Sequence, residues 1–137
     1  MRATPIVALL DTHVLLWWLE GKKHLSKRQQ RIIDKASAER PLFVSDITLW
    51  EIATLSELGR IKLGTPLREW LEQATALPLV QRHPISPAVA AQVAALPSTL
   101  HRDPADRIII ATAIVLSATI LTRDERIIDA GLAPTVE

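Results

Sequence analysis

Four acidic residues stand where an apolar run ends or where a predicted helix begins: Asp11, Glu51, Asp106 and Asp124. In a parallel sheet the carboxyl ends of the strands lie along one edge, so acids that follow different strands can converge although they are far apart in sequence. Taken singly, each acid could simply cap a helix, because negative charge is favourable at a helix N-terminus. Capping does not require all of them to lie on one side of a sheet, so we interpret them as a carboxylate cluster.

A carboxylate cluster points to a particular chemistry. Crowded carboxylates raise each other's pKa, so such a pocket is unfavourable unless a cation occupies it. The chain has no cysteine, which excludes disulfides, thiolate zinc sites and cysteine nucleophiles, and its histidines lack the paired spacing of a zinc-binding helix. Oxygen ligands alone favour Mg²⁺ or Mn²⁺, and magnesium keeps coordination positions for water and substrate phosphate. The sequence therefore predicts hydrolysis of a phosphodiester bond.

Strands alternate with helices along the chain, which predicts an α/β fold. Residues 6–10 form an uninterrupted apolar run, typical of a central strand buried on both faces. Further strands are predicted at 42–45 and 119–122, with a short strand at most within 79–85 and a last one near 134–136. The expected architecture has three α/β/α layers around a central, mainly parallel sheet of four to five strands.

Helix start and stop signals predict where the helices lie. The predicted helices cover residues 13–20, 26 to about 38, 46 or 48 to 58, 65–77, 86–96, 103–116 and 125–130. Thr48 and Glu51 have the spacing of a capping box, which would place Glu51 in the first turn of its helix. Ile47, Trp50 and Leu58 are expected on the packed side of the same helix.

Length and composition predict one soluble globular domain over residues 1–137, since 48% of the residues are apolar and 23% are charged. No segment resembles a secretory signal or a membrane span, so we expect a cytoplasmic protein with no membrane contact. The net charge of +1 conceals a basic cluster formed by Lys22, Lys23, Lys27, Arg28 and Arg31. This cluster is either a phosphate-binding surface or a solvated helix face.

Four ordered blocks of sequence resemble one known family. They are Leu10-Asp11-Thr12-His13, Ser45-x-x-x-Leu49-Trp50-Glu51-Ile52, His101-Arg102-Asp103-Pro104-Ala105-Asp106-Arg107 and Leu121-Thr122-Arg123-Asp124. The pattern resembles the PIN-domain ribonucleases, and specifically the VapC-like toxins of bacterial toxin–antitoxin pairs, over nearly the whole chain. The resemblance implies a metal-dependent endoribonuclease that uses Mg²⁺ or Mn²⁺ and leaves 5′-phosphate and 3′-hydroxyl ends.

Carried over by position, the family's acidic quartet falls on Asp11, Glu51, Asp106 and Asp124. Asp11, Asp106 and Asp124 are the expected metal ligands, and Glu51 completes the pocket and helps to orient water. Five further residues are candidates for supporting the site or binding substrate: Thr12, Asp103, Arg107, Thr122 and Arg123.

Several of these candidates have alternative structural roles. Asp103 precedes Pro104 and suits a helix N-cap, although its spacing from Asp106 would let it face the same pocket. Arg107 and Arg123 neighbour the presumed ligands, so they either contact the RNA backbone or form salt bridges with nearby acids. The histidines are not proposed as ligands or general bases, and His101 is expected to support the loop before Asp103.

The resemblance also implies partners. A cognate antitoxin peptide is expected along an apolar groove formed by early helices, including those with Trp17, Trp18 and Trp50, and a homodimer is expected as well. The tryptophans are predicted to pack in a core or an interface, not to stack on bases.

Two alternatives to the nuclease stay open. The first is a catalytically silent PIN-fold protein-binding module. The second is another Mg²⁺-dependent phosphoryl-transfer enzyme, but a haloacid dehalogenase phosphatase requires Asp-x-Asp where Asp11-Thr12-His13 stands. A response-regulator receiver domain requires a late lysine where Arg123 and Asp124 stand.

Overall fold

A computed structural model describes residues 6–21, 23–76 and 78–137. Lys22 of the basic cluster and residue 77, the predicted end of the fourth helix, lie outside the described residues. Within the described part, the strands are β1 (Ala8–Leu10), β2 (Leu42–Ser45), β3 (Val80–His83), β4 (Thr119–Leu121) and β5 (Thr135–Val136). They form one sheet in the order β3-β2-β1-β4-β5, and every neighbouring pair is parallel. The predicted parallel sheet with a central first strand is confirmed.

Helices connect the strands and cover both faces of the sheet. They are α1 (Thr12–Glu20), α2 (Lys27–Asp34), α3 (Asp46–Glu57), α4 (Leu67–Ala74), α5 (Pro87–Ala94), α6 (Pro104–Leu116) and α7 (Glu125–Ala130). In the described part of the chain, no helix is both long and apolar enough to cross a membrane.

The alternation of side chains along β1 separates two apolar cores. Leu10 belongs to the core on one face, together with residues of α1, α2, α3 and α4, whereas Leu9 belongs to the other core, with α6 and α7. Both leucines are fully buried, as expected for a strand covered on both faces. The three-layer α/β/α architecture follows, with the sheet as its middle layer.

Helix α3 starts earlier than the capping-box prediction placed it. Ser45 is its N-cap, because the Ser45 hydroxyl accepts a hydrogen bond from the Ile47 N–H. Glu51 therefore lies in the second turn of α3, and its predicted place in the first turn is wrong. Thr48, the predicted capping residue, is instead buried and shares a 3.1 Å hydrogen bond with the hydroxyl of Thr12.

Three other expectations about helices are corrected. Helix α2 ends at Asp34, not near residue 38, because the chain then turns through Ser37 and Arg40 toward β2. Helix α4 begins at Leu67, and the residue before it is extended Pro66, so Thr65 is not its N-cap. Trp50 and Leu58 are not on the packed side of α3, since they are 56% and 59% exposed.

Candidate functional site

The sheet order creates a crevice at the carboxyl edge of β1. The connection from β1 leads to β2 and the connection from its other neighbour, β4, leads to β5, so the chain leaves these two adjacent strands in opposite directions. Ligands of open α/β sheets bind at such a switch point. Asp11 directly follows β1, and its backbone N–H donates to the carbonyl of Leu121 in β4 at 3.1 Å. This pairing brings the ends of both strands, and the acids that follow them, to one place.

A cavity of about 80 Å³ lies at this edge, and acidic residues dominate its lining. It is lined by Asp11, Thr12, His13, Glu51, Asp103, Asp106, Ile109, Asp124 and Arg126. The structure thus brings the four predicted acids together with Thr12 and Asp103. Thr122, Arg107 and Arg123 do not line the cavity.

Asp11 is the most buried acid of the site, with 5% of its surface exposed. Its Oδ1 accepts a 2.8 Å hydrogen bond from the Val14 N–H and thereby caps α1, while its Oδ2 accepts from the hydroxyl of Thr122. Burial raises the pKa of Asp11 to about 6, and both hydrogen bonds work against that rise. The capping role and a place in the pocket therefore coexist in one side chain.

Thr122 connects two of the acids. Besides donating to Asp11, its hydroxyl accepts a 3.0 Å hydrogen bond from the Asp124 N–H. Asp124 in turn caps α7, because its Oδ1 accepts from the Arg126 N–H at 2.9 Å. Behind the site, the fully buried Gln29 donates to the backbone carbonyl of Thr122 at 3.2 Å. The supporting position predicted for Thr122 is the one that the structure shows.

Asp103 and Asp106 lie at the start of α6. Asp103 Oδ1 accepts a 2.9 Å hydrogen bond from the Asp106 N–H, so the predicted N-cap is confirmed, and Asp103 also lines the cavity. A 2.8 Å hydrogen bond joins His101 Nε2 to Asp106 Oδ2. Burial raises the pKa of Asp106 and the contact with His101 lowers it, with burial the larger effect.

Glu51 reaches the cavity from α3. Burial raises the pKa of its carboxyl, and the hydroxyl of Thr12 favours the charged form and offsets part of that rise. Thr12 is held by its hydrogen bond with Thr48 one turn before Glu51. Thr48 therefore does not cap the helix but holds Thr12, the residue whose hydroxyl contacts Glu51.

The arginines are arranged differently from the sequence-based expectation. Arg107 is 9% exposed, and its guanidinium donates to the carbonyls of Leu100 and His101, at 3.3 and 3.4 Å. It therefore supports the loop before α6. Arg123 is exposed and donates to the carbonyl of His24 at 2.9 Å.

Sequence reasoning gave four residues no role at the pocket, although they line it or bond to residues that do: His13, Thr48, His101 and Arg126. Arg126 lies two residues after Asp124, and its guanidinium is 3.3 Å from Asp106 Oδ2 and 3.6 Å from Asp124 Oδ2. Its proximity to an acid that follows a strand was a usable signal. For His101 the signal is weaker, because its contact with Asp106 depends on how the intervening loop bends.

The donor set suits a hard, hydrated cation. Its acids offer only oxygen atoms, and the pKa values of Asp11, Glu51 and Asp106 are raised, which a nearby cation would counteract. Across residues 6–21, 23–76 and 78–137, no three acidic or histidine side chains are grouped closely enough to hold a metal ion alone. Mg²⁺ commonly uses one or two carboxylates and keeps several waters, so this wider arrangement fits it.

Comparison with known proteins identifies the family. A family model described as "PIN domain" matches residues 8–132. The chain is 40% identical over 119 residues to "Ribonuclease VapC22" of Mycobacterium tuberculosis (strain ATCC 25618 / H37Rv), covering 87% of this chain and 88% of that protein. Among solved structures, FitAcB from Neisseria gonorrhoeae superposes with a TM-score of 0.68 at 26% identity, covering 95% of this chain and 96% of that one. VapBC-1 from nontypeable Haemophilus influenzae has a TM-score of 0.71 over the same shares of the two chains, and at 15% identity it supports the fold alone. This chain therefore belongs to the PIN-domain family and is similar to its VapC members.

Proposed function

We propose that this protein is an endoribonuclease that uses Mg²⁺ or Mn²⁺ to hydrolyse phosphodiester bonds of RNA. The observation that carries the proposal is the convergence of five carboxylates, from four separate parts of the chain, on one small cavity at the switch point of the sheet. Its similarity to a relative named as a ribonuclease supports RNA as the substrate.

In this proposal, Asp11, Asp106 and Asp124 hold the cation, directly or through water, and Glu51 orients the attacking water. When bound, the cation would activate that water and offset the charge that develops on the phosphate. Thr122 keeps two of the ligands in register, because one hydroxyl contacts both Asp11 and the Asp124 backbone. The hydroxyl of Thr12 contacts Glu51 and favours its charged form.

Cleavage of RNA by purified variants tests the proposal. Wild type should cleave single-stranded RNA with Mg²⁺ or Mn²⁺ and stop when EDTA is added. Asp11→Asn and Asp124→Asn should lose at least about a hundredfold in rate, because each removes a charged ligand. Asp34→Asn is the matched control, since Asp34 is an exposed acid at the end of α2. Equal activity in all four proteins would contradict the proposal.

A silent protein-binding module remains the second candidate, because Asp11, Asp103 and Asp124 each cap a helix and so have a structural role without any metal. Thermal unfolding with and without Mn²⁺ separates the two candidates. The nuclease predicts a higher melting temperature with Mn²⁺ for wild type and a smaller rise for Asp124→Asn. A melting temperature that does not respond to Mn²⁺ favours the module.

We further infer that the protein is the toxin of a toxin–antitoxin pair, in the cytoplasm. The similarity to a VapC ribonuclease supports this inference, and a similar fold occurs in a toxin–antitoxin complex from Klebsiella pneumoniae. The antitoxin would cover apolar side chains of α1 and α3 and of the residue after α3, which include the exposed Leu19, Trp50 and Leu58.

A homodimer and a single domain over residues 1–137 are part of the same proposal. Sedimentation of the purified chain and co-purification of a small protein encoded beside it test these points.

A further inference from the structure

The positively charged guanidinium of Arg126 lies beside carboxylate oxygens of Asp106 and Asp124, which the proposed function assigns to a metal ion. Its Nη2 lies 3.3 Å from Asp106 Oδ2 and 3.6 Å from Asp124 Oδ2. The side chain is 58% exposed, whereas the Asp106 side chain is 9% exposed. The arginine therefore approaches the acids from the solvent side, at the mouth of the pocket.

Arg126 also borders a second depression next to the acidic pocket. This groove has a volume of about 360 Å³, and its lining includes Pro97, Leu100, His101, Arg126 and Leu132. Arg126 lines both the groove and the pocket. A chain that extends from the pocket into the groove must pass its guanidinium.

We propose that Arg126 binds the RNA phosphate next to the scissile bond, and that Asp106 and Asp124 hold its guanidinium only until a divalent cation takes their oxygens. This inference rests on the proposed function. A guanidinium and a metal ion compete for the same carboxylate oxygens. Solvent around the exposed guanidinium screens its attraction to the acids, so a divalent cation can displace it. Once displaced, it has the planar donor geometry that matches a phosphate.

The first test measures Mn²⁺ affinity by calorimetry, without RNA. Arg126→Ala should bind Mn²⁺ about two- to fivefold more tightly than wild type, the range expected for loss of an exposed competing ion pair. Arg123→Ala is the matched control, because Arg123 is exposed and donates to a carbonyl, not to these acids. Equal Mn²⁺ affinity in wild type and Arg126→Ala would overturn the role of Arg126. Absence of Mn²⁺ binding by both proteins would overturn the proposed function itself.

The second test measures binding of a fluorescent single-stranded RNA in a Glu51→Gln background, which prevents turnover. With Mn²⁺, adding Arg126→Ala should weaken RNA binding about tenfold or more, as expected for loss of hydrogen bonds to a charged group. In EDTA the same change should weaken binding less than about twofold, because the acids then hold the guanidinium. Adding Arg126→Gln instead should reproduce both results, since it also removes the charge. An equal loss of RNA affinity with and without Mn²⁺, or no loss with Mn²⁺, would overturn the proposal that Arg126 leaves the acids to bind the RNA phosphate.

Discussion

At the scale of single residues, Asp11 combines a structural and a chemical role that the sequence presents as alternatives. It caps α1, accepts from Thr122 and lines the pocket, while 5% of its surface is exposed. Keeping this buried carboxylate ionised without a cation is unfavourable, and its pKa near 6 expresses that cost. Ionised Asp11 therefore lowers the free energy of unfolding when no metal is bound.

The raised pKa of Asp11 predicts how stability depends on pH in EDTA. The pKa rises from 3.8 to about 6, so between these values the folded protein holds more protons than the unfolded chain. The contribution of protonated Asp11 to the free energy of unfolding therefore falls as the pH rises from about 4 to about 6, and at higher pH it is absent. The shift corresponds to about 3 kcal/mol. Glu51 and Asp106, whose pKa values are also raised, act in the same direction.

Comparison of Asp11→Asn with wild type isolates this effect. Asparagine can still accept from the Val14 N–H, so the cap is kept. In urea denaturation with EDTA, the variant should be more stable than wild type by up to about 3 kcal/mol at pH 7, and the difference should shrink toward zero near pH 4. A constant difference between the two proteins across that range would contradict the assignment of the pKa shift to Asp11.

At the scale of helices and strands, local signals predicted more than long-range ones. Residue type and the residues that follow predict five helix starts, and the structure shows that each of these residues caps its helix: Asp11, Ser26, Ser86, Asp103 and Asp124. Capping depends on neighbouring residues, so sequence suffices. The exposure of Trp50 and the contacts of Arg126 depend on how separate helices pack, which no local pattern specifies. The capping spacing of Thr48 and Glu51 misleads for a local reason, because Ser45 caps α3 three residues earlier.

Gln29 is the clearest example of such a long-range contact, and it yields a stability prediction. It is fully buried in α2, and its Nε2 donates to the carbonyls of Thr122 and Val136 at 3.2 and 3.0 Å. Gln29→Leu removes both of these hydrogen bonds and also the capping bond that Gln29 accepts from the Ser26 N–H, so we expect a loss of about 2–4 kcal/mol in the free energy of unfolding. Gln30 is half-buried and its side-chain amide donates to exposed Asp34, so Gln30→Leu should change the free energy of unfolding by less than about 1 kcal/mol. Similar losses for both variants would contradict this role of Gln29.

At the scale of the whole molecule, helix α3 carries both a residue of the acidic pocket, Glu51, and an exposed apolar residue, Trp50. Asp11 and Asp124 meet at the carboxyl ends of β1 and β4, whereas Trp50 of α3 and Leu58 just after it are exposed to solvent. Neither of these two residues lines the acidic pocket. Among the described residues, these two are the most exposed large apolar side chains, which makes them candidates for contact with a partner. A partner that covers α3 could therefore bind beside Glu51 without replacing any residue of the site.

The double variant Trp50→Ala/Leu58→Ala tests whether this surface binds the proposed antitoxin. Both side chains are more than half exposed, at 56% and 59%, so the free energy of unfolding and RNA cleavage should change little. Antitoxin affinity, measured by calorimetry with the protein encoded beside this chain, should fall by about 2 kcal/mol or more, since tryptophan dominates many interfaces. Val115→Ala is the control, because Val115 is 38% exposed on α6, in the opposite layer. Wild-type affinity in the double variant, or an equal loss in Val115→Ala, would place the antitoxin elsewhere on the molecule.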